Sequence, residues 1–169
     1  MHTITVVDVA QRLRALYGDK PWILPKSYMA KYSTYPTWTP DLHVKIPKRG
    51  ETPAKHYFLD IWDNTKPFFV SVRKTRNYVN FKESSDRQND EPYPAILAIC
   101  EDTYTQKKLN RQMRHILYNA WDNDLVFATT TRKQLDEATK PTDKIWSKID
   151  ADYEVELMSL AQLTPKDDE

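Results

Sequence analysis

The region from residue 40 to residue 78 constrains the fold more than any other part of the chain, because it combines strand-like and helix-like patterns around a turn. Leu42 to Ile46 alternates well enough for a strand, and Tyr57 to Trp62 is a second segment of strand length. The residues between them, 47–55, are rich in Pro and Lys and include Gly50, so they predict a hairpin turn. This region predicts two paired strands.

A helix is predicted to follow this hairpin. Thr65 is a suitable N-cap and Pro67 suits the first turn, so we expect the helix to run over residues 67–81. It would place Phe69, Val72, Arg76 and Val79 along one side and Arg73 and Lys74 towards another.

The remaining segments alternate helices and strands. The predicted order is a helix over Val6–Tyr17 that Gly18 ends, an irregular strand and turn over Trp22–Tyr35, a mobile loop over Asp86–Pro92, a central buried strand over Pro94–Cys100, a helix over Thr103–Ala120, a strand over Leu125–Thr129, a short helix over Thr131–Ala138 and a strand or helix over Tyr153–Leu160. This order predicts an α/β fold with a mixed β-sheet flanked by helices.

Composition limits the classes of protein that fit. The chain has 169 residues, of which 40% are apolar, so residues 1–169 are expected to form a single domain. Only two residues are Gly, which argues against P-loop and dinucleotide-binding folds. The single Cys100 excludes an intramolecular disulfide and a Cys-based zinc site, and it is predicted to be a buried thiol.

Nothing in the sequence predicts a membrane partner. No apolar run approaches the roughly 18 residues that cross a membrane, and the N-terminus does not read as a signal sequence. We therefore expect a cytoplasmic protein.

The charge distribution is more informative than the net charge of +1. Residues 66–87 contain six Lys and Arg against two acids, and residues 107–115 contain four Lys and Arg with no acid. A basic face on a nearly neutral protein fits a DNA partner, although a solvated helix surface is the commoner explanation.

Asp41 and Asp60 are the main candidates for chemistry. Asp41 comes just before the first strand of the hairpin and Asp60 lies inside the second, so the two carboxylates could converge and hold Mg²⁺. Such a metal activates water and stabilises charge on a phosphodiester. The structural alternative, favoured by residue types alone, is that Asp41 starts a turn and Asp60 pairs with a Lys or Arg.

Other reactive groups give weaker signals. His43 and His56 could approach each other across the hairpin, but a surface pair is the simpler expectation, and His115 has no matching partner. Ser84 and Ser85 have no apparent base, so nucleophilic hydrolase chemistry is unsupported.

The order and spacing of several short motifs resemble a known family. The chain looks like a PD-(D/E)XK nuclease-like core and, more narrowly, like the replication-relaxation family of plasmid and mobile-element proteins. The matching pieces are His2-Thr3-Ile4 before a helix, Thr39-Pro40-Asp41-Leu42, Tyr57-Phe58-Leu59-Asp60-Ile61-Trp62-Asp63-Asn64-Thr65, Lys74-Thr75-Arg76-Asn77-Tyr78, Tyr93-Pro94-Ala95-Ile96-Leu97 and Val126-Phe127-Ala128-Thr129-Thr130.

The resemblance implies a restriction-endonuclease-like fold with a catalytic and metal site. Asp41 and Asp60 would bind the metal with Asp63 nearby, and Lys74 would orient water or stabilise the transition state. The family usually has Lys two residues after the second acid, where this chain has Trp62. Lys74 could supply that amine from the next helix, but Trp62 favours a degenerate version that does not cut.

A second departure concerns the N-terminus. Members of the family typically carry a winged-helix DNA-binding domain before this region, and the sequence starts where such a domain would end. Sequence-specific DNA binding is therefore a weaker expectation.

The expected DNA contacts come from two basic helices. The candidate phosphate-binding residues are Arg73 and Arg76 on one helix, beside Lys74, and Lys107, Lys108, Arg111 and Arg114 on the other. Tyr78, Trp62 or Trp38 could stack on unpaired bases, although aromatic residues at these spacings are more often in a core.

These observations predict a DNA-binding or DNA-processing accessory protein of a mobile element, acting in plasmid replication, relaxation or mobilisation. One alternative is an active Mg²⁺-dependent deoxyribonuclease. The other is a non-catalytic interaction module whose aromatic and charged faces bind a relaxase, a replication protein or a second copy of the chain.

Overall fold

A computed structural model describes residues 6–17, 22–25, 41–46, 55–62, 67–69, 72–76, 95–119, 126–149 and 155–163. The described strands form one seven-stranded sheet in the order of the chain. They are β1 (Trp22–Pro25), β2 (Leu42–Ile46), β3 (Lys55–Trp62), β4 (Ala95–Cys100), β5 (Phe127–Thr131), β6 (Trp146–Ile149) and β7 (Val155–Met158). Helices pack on both faces, which confirms the predicted α/β class with a mixed sheet.

The described helices are α1 (Val6–Tyr17), α2 (Thr103–Asn119) and α3 (Arg132–Glu137), with a 3₁₀ turn at Leu160–Gln162. Residues 68–69 and 72–76 are also helical. We call residues 67–69 and 72–76 the connecting segment, because they lie between β3 and β4 in the chain.

The pairing of the strands changes in the middle of the sheet. β1, β2 and β3 are antiparallel neighbours, whereas β4 is parallel to both β3 and β5. β6 and β7 continue the sheet in antiparallel pairing. β4 is buried along its whole length, as expected for a parallel strand covered on both faces, and this explains its continuous apolar sequence.

Two hydrophobic cores lie on opposite faces of the sheet. The first joins alternate residues of the central strands to α1, α3 and the 3₁₀ turn; Leu59, Leu97 and Leu13 are among its members. The second joins the other alternate residues, including Phe58 and Ile96, to α2 and to Phe68 and Val72 of the connecting segment. The period of two along each strand distributes the side chains between the cores.

Helix α1 is held against the end of α3 by Arg12. Its guanidinium donates hydrogen bonds to the backbone oxygens of Leu135 (2.9 Å), Asp136 (2.9 Å) and Ala138 (2.5 Å). α3 begins with a capping box in which Thr131 and Gln134 satisfy each other's backbone groups. A six-residue helix is too short to be stable alone, so these contacts support it from both ends.

Several predicted elements are found with small changes in their ends. α1, β2, the antiparallel hairpin and the central position of β4 are as predicted, and Cys100 is buried. β5 runs over Phe127–Thr131 rather than 125–129, because its pairing with β4 continues to Thr131. β6 was not predicted: its four residues, Trp146–Ile149, are too few to show a clear period.

Some predictions lie outside the described residues. They are the loop over 86–92, the turn over 47–54, the end of the 67–81 helix, and the residues Trp38, Asp63 and Tyr78. Across the described ranges, no helix has both the length and the apolar character needed to span a bilayer.

Candidate carboxylate–lysine site

The register of the hairpin brings Asp41 beside Asp60. Leu42 pairs with Leu59, so the next position in the register places Asp41 opposite Asp60. The Asp41 backbone N–H donates to Asp60 Oδ1 at 3.2 Å, and the Ile61 N–H donates to Asp41 Oδ2 at 2.9 Å. Each carboxylate therefore accepts a backbone hydrogen bond from the other strand, and the two predicted acids converge.

Lys74 completes this cluster from the connecting segment. Its Nζ lies 2.5 Å from Asp60 Oδ1. Asp41 and Asp60 are buried, at 7% and 5% exposure, and the Lys74 side chain is 21% exposed. We call Asp41, Asp60 and Lys74 the carboxylate–lysine cluster. All three predicted catalytic residues lie together.

The charges in this cluster are not balanced within it. Like charges directly opposite each other on neighbouring strands are unfavourable, and burial strengthens that repulsion. Lys74 supplies one positive charge against the two carboxylates. An ion pair to Asp60 is also what a purely structural role would produce, and the hydrogen bond from the Ile61 N–H gives Asp41 a structural role as well.

Trp62 occupies the position at which the family resemblance predicts a lysine. Its side chain is 5% exposed and belongs to the second core, where its ring meets that of Phe68 edge-on at 5.4 Å. An ammonium group there would be buried among apolar side chains. Burial also removes Trp62 as a surface on which a base could stack, so that part of the stacking prediction is wrong.

His43 and His56 form a pair on the same face of the hairpin. His43 Nε2 and His56 Nδ1 are 2.9 Å apart, and the ring centroids are 5.1 Å apart. His43 is only 7% exposed and contacts the Phe58 ring. The expectation of a surface pair is wrong for His43, because its ring is buried against Phe58 and His56 of the neighbouring strand.

The predicted basic residues are mostly at the surface. Arg73, Arg76, Lys107, Lys108 and Arg111 are exposed, whereas Arg114 is half-buried. Two of these cations lie over aromatic rings: Lys108 Nζ is 4.2 Å from the Phe68 ring centroid, and Arg73 Cζ is 6.0 Å from that of Phe69. These contacts bring the basic groups of α2 and of the connecting segment to one side of the sheet.

Sequence reasoning missed a buried polar group on the same face. The Gln106 side chain donates to the Thr129 backbone oxygen at 3.3 Å, and the Thr129 hydroxyl donates to Asn110 Oδ1 at 2.7 Å. Gln106 and Asn110 are one helical turn apart and interrupt the apolar stripe of α2. This interruption is the feature of the sequence from which the polar contact could have been predicted. These bonds join α2 to β5.

The ligand types at the carboxylate–lysine cluster suit Mg²⁺. This ion keeps several waters and is commonly held by one or two carboxylates together with substrate phosphates. Asp41 and Asp60 supply two carboxylates that face each other across the hairpin, and an ionised carboxylate offers about four lone-pair sites. In the part of the chain that the structure describes, no group of three or more His, Cys, Asp or Glu residues is placed to hold a metal.

Comparison of the chain with protein-family models, with curated proteins and with solved structures finds no match. The family resemblance therefore stays a prediction that rests on the motifs themselves.

Proposed function

We propose that the protein is a DNA-binding or DNA-processing protein with a restriction-endonuclease-like core, acting in the replication, relaxation or mobilisation of a mobile element. The observation that carries the proposal is the convergence of Asp41, Asp60 and Lys74 beside exposed cations. The order α1, β1, β2, β3, connecting segment and parallel β4 supports it, because the resemblance predicts the same order.

The exposed cations provide the contacts with DNA in this proposal. Arg73 and Arg76 extend from the connecting segment, and Lys107, Lys108 and Arg111 extend from α2. Lys and Arg at such positions bind phosphates, release counterions and carry little sequence information. We therefore expect affinity for DNA that falls steeply between low and moderate salt.

Metal-dependent hydrolysis of a phosphodiester is the second candidate, and the position of Lys74 favours it. Lys74 brings an amine to Asp60 although the strand position is occupied by Trp62. Asp41 and Asp60 would hold Mg²⁺, which supplies an activated water and stabilises charge on phosphate. Lys74 would orient Asp60, and its ammonium would attract the phosphate.

The test is incubation of supercoiled plasmid and of single-stranded DNA with Mg²⁺ or Mn²⁺, followed by electrophoresis for cleavage and by gel shift for binding. The variants are Asp60→Asn and Lys74→Gln. The matched control is Asp136→Asn, an exposed acid whose ion pair with Arg132 is on α3 and contributes little.

Each result assigns a different function. Nicking that Asp60→Asn abolishes and Asp136→Asn retains would establish a nuclease. Binding without nicking would support a degenerate core that binds DNA. If the wild type shows no binding and no nicking, the proposal is rejected in favour of a protein-interaction module.

A further inference from the structure

A surface cavity of about 370 Å³ lies between the connecting segment and α2. Among the described residues, its lining combines apolar and cationic side chains with one amide: Phe68, Phe69, Val72, Arg73, Arg76 and Gln112. Its volume is within the range of roughly 300–1,000 Å³ typical of sites for small ligands. We call it the Phe69 cavity.

The apolar part of the cavity includes an aromatic ring that folding leaves exposed. Phe69 is 63% exposed, although its neighbour Phe68 packs against Trp62 in the second core. An exposed phenylalanine is unfavourable in water and is common at binding surfaces. Arg73 lies over part of the ring, and the exposed remainder is open to a stacking partner.

The polar part of the cavity is cationic. Arg73 and Arg76 are exposed and line the cavity, and Arg73 lies over the Phe69 ring. Lys108 is close by, over the ring of Phe68. Guanidinium groups bind phosphate through two parallel hydrogen bonds. An aromatic ring bordered by arginines therefore complements a group that has a flat face and a phosphate.

We propose that the Phe69 cavity binds one unpaired nucleotide of single-stranded DNA. The base stacks on Phe69, Arg73 and Arg76 hold the adjacent phosphate, and the Gln112 amide hydrogen-bonds an edge of the base. This inference rests on the proposed function and adds the class of DNA. Stacking requires a base that is not already stacked in a duplex, so the cavity favours single strands.

The position of the cavity connects it with the carboxylate–lysine cluster. Arg73 lines the cavity, and Lys74, the next residue, contacts Asp60. The same helical residues therefore hold the nucleotide and reach the acidic pair.

The test measures binding of a labelled oligothymidine and of a labelled duplex by fluorescence anisotropy at low salt, with the full chain. Phe69→Ala removes the exposed ring and Phe69→Trp keeps a stacking surface. Tyr118→Ala is the matched control, because Tyr118 is another exposed aromatic, 73% exposed, that does not line the cavity. Circular dichroism checks that each variant is folded.

We expect Phe69→Ala to weaken single-strand binding about tenfold, since stacking of a base on an aromatic side chain has that magnitude. Duplex binding should change less than about twofold, and Phe69→Trp and Tyr118→Ala should bind like the wild type. Arg73→Gln should weaken binding of both DNAs, because it removes a phosphate contact.

Three results would overturn the inference. If Phe69→Ala binds single strands as well as the wild type, or loses both DNAs equally, the cavity is not a site for an unpaired base, while the proposed DNA function stands. If the wild type binds neither DNA, both proposals fail, and an acidic segment of a protein partner becomes the better occupant.

Discussion

At the scale of single residues, the main feature of this protein is a pair of buried acids, one of which forms an ion pair with Lys74. Asp41 and Asp60 accept backbone hydrogen bonds from each other's side of the hairpin. Lys74 Nζ donates to Asp60 Oδ1. The energetics of these contacts can be measured without knowing the substrate.

Removing the lysine should destabilise the fold through the charges that it leaves behind. We expect Lys74→Met to lower the free energy of unfolding by about 1–3 kcal/mol, because Asp60 would remain buried without this ion pair. Asp60→Asn in the Lys74→Met background should recover most of the loss. Urea denaturation measures all four combinations as a double-mutant cycle.

Lys133→Met is the control for this cycle, since Lys133 is exposed on α3. It should change the free energy of unfolding by less than about 0.5 kcal/mol. If Asp60→Asn changes the free energy of unfolding by the same amount with and without Lys74→Met, the two side chains are not coupled.

Cys100 should be unreactive in the folded protein. Burial and, to a smaller extent, the charge of Asp102 together raise its pKa to about 12, so the thiol stays protonated at neutral pH. Its side chain is also inaccessible. We expect no reaction with Ellman's reagent at pH 8 until guanidinium unfolds the chain. Rapid labelling of the native protein would contradict this burial.

At the scale of elements, contacts at the helix ends stabilise α2 and α3. α2 carries both the inner apolar stripe and the exposed cations, and Asp102 precedes its first residue. The Thr105 N–H donates to Asp102 Oδ1 at 2.7 Å. The short α3 depends on its capping box and on Arg12 of α1.

The N-cap of α2 should give stability that depends on pH. The backbone hydrogen bond from Thr105 lowers the pKa of Asp102 below its ordinary value of 3.8. The stabilisation is therefore complete above about pH 4 and is lost as the pH falls through the folded pKa.

We expect Asp102→Ala to cost about 1 kcal/mol at pH 7 and Asp102→Asn, which can also cap, to cost less. Thermal unfolding at pH 7 and pH 3 measures both. If the stability difference between wild type and Asp102→Ala grows in acid, the assignment of the carboxylate as the cap is incorrect.

Arg12 should contribute more to the free energy of unfolding than an ordinary surface arginine. Arg12→Ala leaves three carbonyl groups of the 135–138 region without this donor, so we expect a loss of about 1–3 kcal/mol. Arg14→Ala, at an exposed position of the same helix, should cost less than about 0.5 kcal/mol. Equal effects in urea denaturation would show that the contacts with α3 contribute nothing.

At the scale of the whole molecule, one sheet separates two cores, and β4 contributes to both. Leu97 faces the first core and Ile96 the second. Since the two cores share their strands, neither can lose its packing without disturbing the other. The described structure therefore favours cooperative unfolding of a single unit.

Truncation of a central core residue tests this cooperativity. Leu97→Ala should cost about 2–5 kcal/mol, whereas Val7→Ala, at a side chain that is 65% exposed, should be nearly neutral. Far-ultraviolet circular dichroism and tryptophan fluorescence should report one coincident transition for each variant. Separate transitions by the two probes would show that the cores unfold independently.

The sequence alone determined most of the elements and the residue types at the site. The period of α1, the apolar run of β4 and the hairpin depend on neighbours within a turn or a pleat, so they can be read locally. Asp41 and Asp60 were identified from their places before and within two strands, whereas Lys74 was named only because of the family resemblance.

Only the tertiary structure decided what these residues contact. The register that pairs Leu42 with Leu59 sets Asp41 against Asp60, and the packing of the connecting segment brings Lys74 to the pair. Arg12 contacts residues that are 123 or more positions away in the chain. The Phe69 cavity lies between two separate helical elements. Neither feature has a local signature in the sequence. Such contacts depend on how distant segments pack, and no periodic pattern within one segment encodes that packing.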